Sequence, residues 1–156
     1  MRVKKIKIAA AMIIGLGTIG VLRPALGAQQ VADAPRSVWD GVYTEEQAKR
    51  GATLCAQECA SCHGTELAGN DESPPLSGPA FLANWDSLTV GDLSERVRRT
   101  MPPNKLGRLN RQQIVDILGH VLSINGFPAG KTELDPKAEP LKQIRIEATK
   151  PKSKSE

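Results

Sequence analysis

Two thiols and an imidazole lie close together in the run Cys59-Ala60-Ser61-Cys62-His63. Cysteines at this spacing can bond to the two vinyl groups of a haem, while the adjacent histidine reaches the iron. We therefore expect one haem c per chain, attached covalently through Cys59 and Cys62, with His63 as an axial iron ligand.

Two other uses of these residues fit the sequence less well. A structural zinc site takes four ligands, usually from two separated pairs, whereas the only further Cys and His residues are Cys55 and the remote His120. A thioredoxin-like redox pair needs a strand–helix–strand setting, and the sequence shows no strand pattern. Haem attachment is the interpretation that uses all three reactive groups.

A second axial ligand would close the iron to oxygen and other small molecules. Met101 is the only methionine beyond residue 27, and it stands in the rigid stretch Thr100-Met101-Pro102-Pro103. A His/Met ligand pair would raise the reduction potential relative to a His/His pair. Two alternatives stay open: His120 as the ligand with Met101 filling a gap in the core, or an open coordination position.

The first 27 residues have the three parts of an export signal. A basic start precedes an apolar run over residues 8–22, and the small residues of Ala25-Leu26-Gly27 suit cleavage after Gly27. An uncleaved anchor is the alternative, although the run is shorter than the roughly 20 residues that a membrane helix needs. Either interpretation places the rest of the chain in the periplasm or outside the cell. It touches a membrane, at the outer face of the inner membrane, only if the leader stays uncleaved.

The charge of the chain excludes a nucleic-acid partner. The formal charge is +4, but the leader contributes +5 and leaves −1 for residues 28–156, which have no basic stripe with interleaved aromatics. Aromatic residues make up only 3% of the 156-residue chain. A buried porphyrin would supply the apolar bulk that these residues would otherwise provide.

Three helix starts are visible in the sequence. Thr44 is the predicted cap of the first helix, and Gln47 completes a capping box. Thr89 with Asp92 is the predicted start of a second helix, which runs to Arg99. Asn110 is the predicted cap of a third helix, over residues 110–124. Segment 64–87 is rich in proline and glycine and is predicted to be mainly loop. We predict a linker over 28–38, one all-α domain over 39–127 and a polar C-terminal extension over 128–156 whose end is disordered. Apolar residues of the extension could pin part of it to the domain: Leu134, Leu141, Ile144 and Ile146.

Residues 39–127 resemble the class I c-type cytochromes. The likeness rests on Gly51, eight residues before Cys59, on the Pro-x-Leu-x-Gly stretch at Pro74-Pro75-Leu76-Ser77-Gly78, and on Thr100-Met101-Pro102. It implies three to four short helices and long loops wrapped around one haem. It also implies that the Pro74 carbonyl accepts a hydrogen bond from His63 and orients its ring.

A narrower likeness concerns the small cytochromes that serve pyrroloquinoline-quinone (PQQ) dehydrogenases. It rests on the runs over 39–44, 89–93 and 125–130. It implies redox protein partners, such as a PQQ-dependent dehydrogenase as donor and a terminal oxidase or other respiratory acceptor. We predict a one-electron carrier rather than an enzyme. A permanently bound subunit of a quinoprotein dehydrogenase is the alternative, and a haem sensor or peroxidase fits less well because no acid–base pair is evident near Met101.

Three further features bear on the predicted site. Cys55 replaces an aromatic residue of the family and is either a buried apolar side chain or a thiol available for an intermolecular disulfide. Trp85 either donates its indole N–H to a haem propionate or packs half-buried. A basic cluster brackets Met101 and is a solvated face, a steering surface for an acidic partner or a partner for the propionates. Its members are Arg96, Arg98, Arg99, Lys105, Arg108 and Arg111.

Overall fold

The structure, a computed structural model, describes residues 35–152. The predicted leader over 1–27, most of the predicted linker and the last four residues lie outside the described residues. Within the described part, no helix is both long and apolar enough to cross a membrane.

The described part of the chain is mostly helical, which confirms the predicted all-α class. A 3-10 turn at Val38–Asp40 precedes the first helix. The helices are α1 (Glu45–Glu58), α2 (Ala60–His63), α3 (Gly78–Trp85), α4 (Val90–Thr100), α5 (Arg111–Ile124) and α6 (Ala138–Lys142).

The predicted helix starts are confirmed, with one difference in how a cap works. The Thr89–Asp92 and Asn110–Gln113 pairs form complete capping boxes at α4 and α5. At α1 the Thr44 hydroxyl accepts from the Gln47 N–H, but the Gln47 side chain does not return the bond. It exchanges two hydrogen bonds with the backbone of Leu134 instead, so the second half of the predicted box is wrong.

Helices α1 and α5 cross at very short range and share the largest helix–helix interface of the described residues. A Cβ atom on Gly51 would lie 1.9 Å from the carbonyl oxygen of Asp116. The Arg50 guanidinium locks the crossing with two hydrogen bonds to the Asp116 carboxylate, at 3.0 and 3.1 Å. Helix α2 contacts α1, and α4 contacts α5, so the two crossed helices support the elements around them.

Helix α3 lies inside the segment that the sequence predicted to be mainly loop. Pro79 stands in its first turn, where proline is tolerated because the N–H groups there lack intrahelical partners. Phe81, on this helix, is fully buried.

The C-terminal extension packs on the helical domain. Its four apolar residues named above are all buried, with at most 3% of each exposed. Strand β1 (Arg36–Ser37) pairs in parallel with β2 (Ile144–Arg145), which corrects the expectation of no strand and gives residues 36–38 of the predicted linker regular structure. Trp39 donates from its indole to the Glu147 carbonyl at 2.9 Å and packs on Phe127 at 5.0 Å between ring centroids.

Candidate haem site

One cavity of about 890 Å³ brings together every residue that the sequence predicted for the site. Its walls include residues from α2, the following loop, α3, α4 and α5. The predicted site residues that line it are Cys59, Cys62, His63, Pro74, Trp85 and Met101.

The haem-binding motif is held by a short helical turn. Helix α2 begins directly after α1, and the His63 N–H donates to the Cys59 carbonyl at 3.0 Å. The Asn70 side chain donates to the Cys62 carbonyl at 2.9 Å and fixes the loop that follows. The thiol groups and the imidazole are thereby presented from one wall of the cavity.

The ring of His63 is oriented by the backbone. Its Nδ1 lies 2.7 Å from the Pro74 carbonyl oxygen, as the family resemblance implied. Because a carbonyl only accepts, Nδ1 must carry the proton and Nε2 keeps a free lone pair. Nε2 is therefore the atom of His63 that can bind a metal.

Asn125 supports the wall that contains Pro74, a role that the sequence did not reveal. Its side chain accepts from the Gly78 N–H and donates to the Leu76 carbonyl, each at 3.0 Å. These two bonds join the end of α5 to the loop that orients His63. Asn125 directly follows a helix, where asparagine is common for local reasons, so its long-range contact leaves no distinct pattern in the sequence.

Met101 follows the last residue of α4, and its N–H donates to the Val97 carbonyl at 2.9 Å. The side chain is half-buried and lines the cavity. His120 lies outside this cavity, in a separate depression with Tyr43 and Ser123. Of the two predicted candidates for the sixth ligand, the structure thus brings only Met101 to the same cavity as His63.

Trp85 packs beside Phe81, with ring centroids 6.3 Å apart. Its indole N–H donates to no acceptor among residues 35–152, so the packing role and the donor role predicted from the sequence are compatible with the structure.

Cys55 is buried in the core with 2% exposed. The neighbouring Cys59 thiol and burial raise the pKa of the Cys55 thiol. Burial favours the interpretation of Cys55 as a small apolar side chain over that of a thiol free for an intermolecular disulfide.

The basic cluster divides into paired and unpaired members. Arg98 and Arg99 both bind the Glu95 carboxylate, and this holds the pKa of Glu95 down at about 2. Arg108 binds Glu58 at 2.8 Å. Arg96 and Lys105 line the cavity and form no ion pair within the described part of the chain. The unpaired positive charge at the cavity therefore comes from these last two residues.

The residues of the cavity fit a haem. Its volume falls within the roughly 300–1,000 Å³ of ligand pockets. The two thiols suit covalent attachment of a c-type haem, and the imidazole and the thioether suit binding of its iron. Apolar side chains complete the walls: Leu93, Val97, Leu109, Ile117, Leu118 and Val121.

These features define a c-type cytochrome domain of class I. A family model described as cytochrome c oxidase, cbb3-type, subunit III matches residues 46–121. Residues 46–121 accordingly form a cytochrome c domain of the electron-transfer type.

Relatives extend the comparison. The cbb3-type cytochrome c oxidase subunit FixP of Bradyrhizobium sp. (strain ORS 278) is 30% identical over 124 residues, covering 77% of this chain and 42% of that protein. Subunit CcoP of Cereibacter sphaeroides is 31% identical over 78 residues, covering 49% of this chain and 27% of that protein. The chain thus spans less than half the length of these curated relatives.

Among solved structures, the sulfane dehydrogenase SoxCD from Paracoccus pantotrophus matches with a TM-score of 0.46 and 24% identity, over 83% of this chain and 68% of that one.

The resemblance to class I c-type cytochromes is confirmed by the family match. The narrower resemblance to cytochromes of PQQ dehydrogenases stays a prediction, since the curated relatives reported above are named as oxidase subunits.

Proposed function

We propose that this protein is an exported one-electron carrier with a single, covalently attached haem c held between His63 and Met101. The observation that supports it is the convergence of Cys59, Cys62, His63 and Met101 on one cavity. When bound, haem supplies a one-electron redox couple that the side chains themselves lack.

Each residue has a defined task in this proposal. Cys59 and Cys62 would hold the group through two thioether bonds, so that it could not dissociate. The Pro74 carbonyl keeps the proton of His63 on Nδ1 and leaves Nε2 for the iron. Met101 would supply a second ligand to the iron, and the apolar walls would exclude water.

The partner of this carrier is a respiratory redox protein. The relatives named above are oxidase subunits, which supports a terminal oxidase as the acceptor. A dehydrogenase, including one that uses PQQ, is the proposed class of donor.

The alternative is a permanent subunit of such an enzyme. A stable one-to-one complex during purification from the native membrane and periplasm would favour the subunit over the diffusing carrier.

Covalent attachment is tested by mass and export. The full chain is expressed with a haem-attachment system, and the periplasmic product is denatured and weighed. We expect the mass of one haem to stay on the chain and the leader of residues 1–27 to be absent. Cys59→Ala and Cys62→Ala should each reduce attachment, whereas Cys55→Ala should retain it; haem lost from the unaltered chain on denaturation would contradict the proposal.

The axial ligand is tested with carbon monoxide. The reduced, unaltered protein should resist binding, because Met101 closes the iron, and Met101→Ala should bind readily. His120→Gln is the matched control, since His120 was the other candidate ligand, and it should resist like the unaltered protein. Ready binding by the unaltered protein would contradict Met101 ligation and favour a gas sensor or a peroxidase.

A further inference from the structure

Residues 143–148 are bonded to the loop of residues 86–89, which lies at one wall of the cavity. The Ser87 N–H donates to the Ile146 carbonyl, and the Ile146 N–H donates to the Leu88 carbonyl, both at 2.8 Å. The Ala148 N–H donates to the Asp86 carboxylate at 2.8 Å, and the Arg145 guanidinium donates to the Ser87 carbonyl at 3.1 Å. We call residues 143–148 the C-terminal strap. It fixes the loop of residues 86–89, whose Leu88 lines the cavity.

The strap holds this loop in a conformation that it would not keep alone. Ser87 has a φ of +68°, in the left-handed region that non-glycine residues seldom adopt. Such a residue persists where its surroundings determine its conformation. Here both polar backbone groups of Ser87 are bonded to the strap, through Ile146 and Arg145.

The same part of the chain also holds α4, the helix that leads to Met101. Helix α6, which precedes the strap, packs on α4 at Gly91, where an added Cβ would lie 2.8 Å from the backbone nitrogen of Lys142. Strand β2 in the strap contacts α4 as well. The cavity side of α4 carries Leu93, Arg96 and Val97.

We infer that the strap is a positioning element for the redox site: it holds the loop of residues 86–89 and α4 in place, and so keeps Met101 on the iron. The inference rests on the proposed function. It assigns a role in controlling access to the iron to residues outside the family match over 46–121. Ile146 and Arg145 act through the wall and not by contact with the haem.

The first test compares two buried residues of the extension. Ile146→Ala loosens the strap, whereas Leu134→Ala removes a similar volume at a buried residue outside the strap, whose backbone bonds to Gln47 on α1. Both should lower the melting temperature. Only Ile146→Ala should raise the rate of carbon monoxide binding to the reduced holoprotein, by about tenfold if local opening becomes about 1.4 kcal/mol easier.

The second test uses exposed residues, so that folding is not at risk. Arg145→Ala removes the bond to the Ser87 carbonyl, and Lys137→Ala removes another exposed cation of the extension. Hydrogen exchange is measured at the Ser87 and Met101 amides. Arg145→Ala should accelerate both, and Lys137→Ala neither.

The outcomes separate the two proposals. If the unaltered protein binds carbon monoxide readily, Met101 ligation fails, and amide exchange at Met101 alone decides the positioning role. If Ile146→Ala does not fold, Arg145→Ala decides. If strap variants match their controls in carbon monoxide binding and in exchange at Met101, the positioning role is overturned.

Discussion

The position of Gln47 in the sequence suggests that its side chain completes the capping box of α1, but the side chain is buried and makes different hydrogen bonds. It is fully buried, and it accepts from the Leu134 N–H at 2.8 Å while donating to the Leu134 carbonyl at 3.3 Å. These bonds satisfy the backbone of a chain segment that belongs to neither a helix nor a strand. Gln47 therefore joins the extension to α1 in the core, while Arg50 joins the two at the surface through its ion pair with Glu133.

Gln47→Leu should lower the free energy of unfolding by about 2–4 kcal/mol, because two buried backbone groups of Leu134 lose their partners. Thr44→Ala, which removes the helix cap and a long, exposed hydrogen bond to Glu133, should cost about 1 kcal/mol. Denaturant titrations of the holoprotein measure both. Equal losses would show that Gln47 acts only in the capping of α1.

His120 gives the fold a dependence on pH. Burial lowers the pKa of His120 below its ordinary value of 6.5, so protonation favours the unfolded chain. The resulting stability is present above the unfolded value and is lost as the pH falls through the lower, folded value. His120→Gln should lose less stability than the unaltered protein between about pH 7 and pH 5. Both proteins contain His63, so the difference isolates His120, and parallel curves would contradict the prediction.

The residues of the site differ in how far sequence alone could identify them. Cys59, Cys62 and His63 are predictable because covalent attachment dictates their types and their spacing. Asn125 is not, since its partners lie 47 and 49 residues away in the chain. The unpaired state of Arg96 and Lys105 likewise depends on where Glu58 and Glu95 lie in space.

At the scale of elements, the crossing of α1 and α5 depends on glycine. Gly51→Ala places a methyl group 1.9 Å from the Asp116 carbonyl oxygen and should destabilise the fold by about 3 kcal/mol or more. Gly119→Ala is the matched control on α5, since its nearest neighbour, Gln47 Cγ, would lie 3.3 Å away. It should stay within about 1 kcal/mol, because the better helix propensity of alanine offsets the small adjustment. Thermal unfolding compares them, and equal losses would show that the crossing is looser.

The elements that sequence analysis missed are those that long-range packing creates. Gly78 and Pro79 are read as breakers, although a proline in the first turn also starts a helix such as α3. Strands β1 and β2 are two residues each and have no alternating pattern to detect. Helices α4 and α5 were predictable because their caps and apolar periodicity are encoded locally.

For the whole molecule, the position of charge matters more than its count. The basic cluster holds six cations, but only Arg96 and Lys105 both line the cavity and are unpaired within the described part. Arg98 and Arg99 belong to the cluster that the sequence offers for steering a partner, but both are paired with Glu95. Arg96 and Lys105 are therefore the better candidates for that role. The mouth of the cavity is the face that an acidic redox partner would meet.

Replacing both Arg96 and Lys105 by Gln should slow oxidation of the reduced protein by ferricyanide, an anion, by about two- to tenfold at low salt. The difference should fade as salt screens the charges. Arg98→Gln with Arg99→Gln removes the same charge farther from the mouth and should have the smaller effect. Stopped-flow rates across ionic strength measure this, and equal slowing by both pairs would show that only net charge matters.

The pairing of Arg36 with Ile144 brings the beginning of the described region next to its last strand. A short linker there would close this region into a ring, and new ends could be opened in an exposed loop outside the site without removing a helix. Because its two ends lie close together, the region could also be inserted into a surface loop of a host protein. The two sides of that loop would need to move apart only slightly.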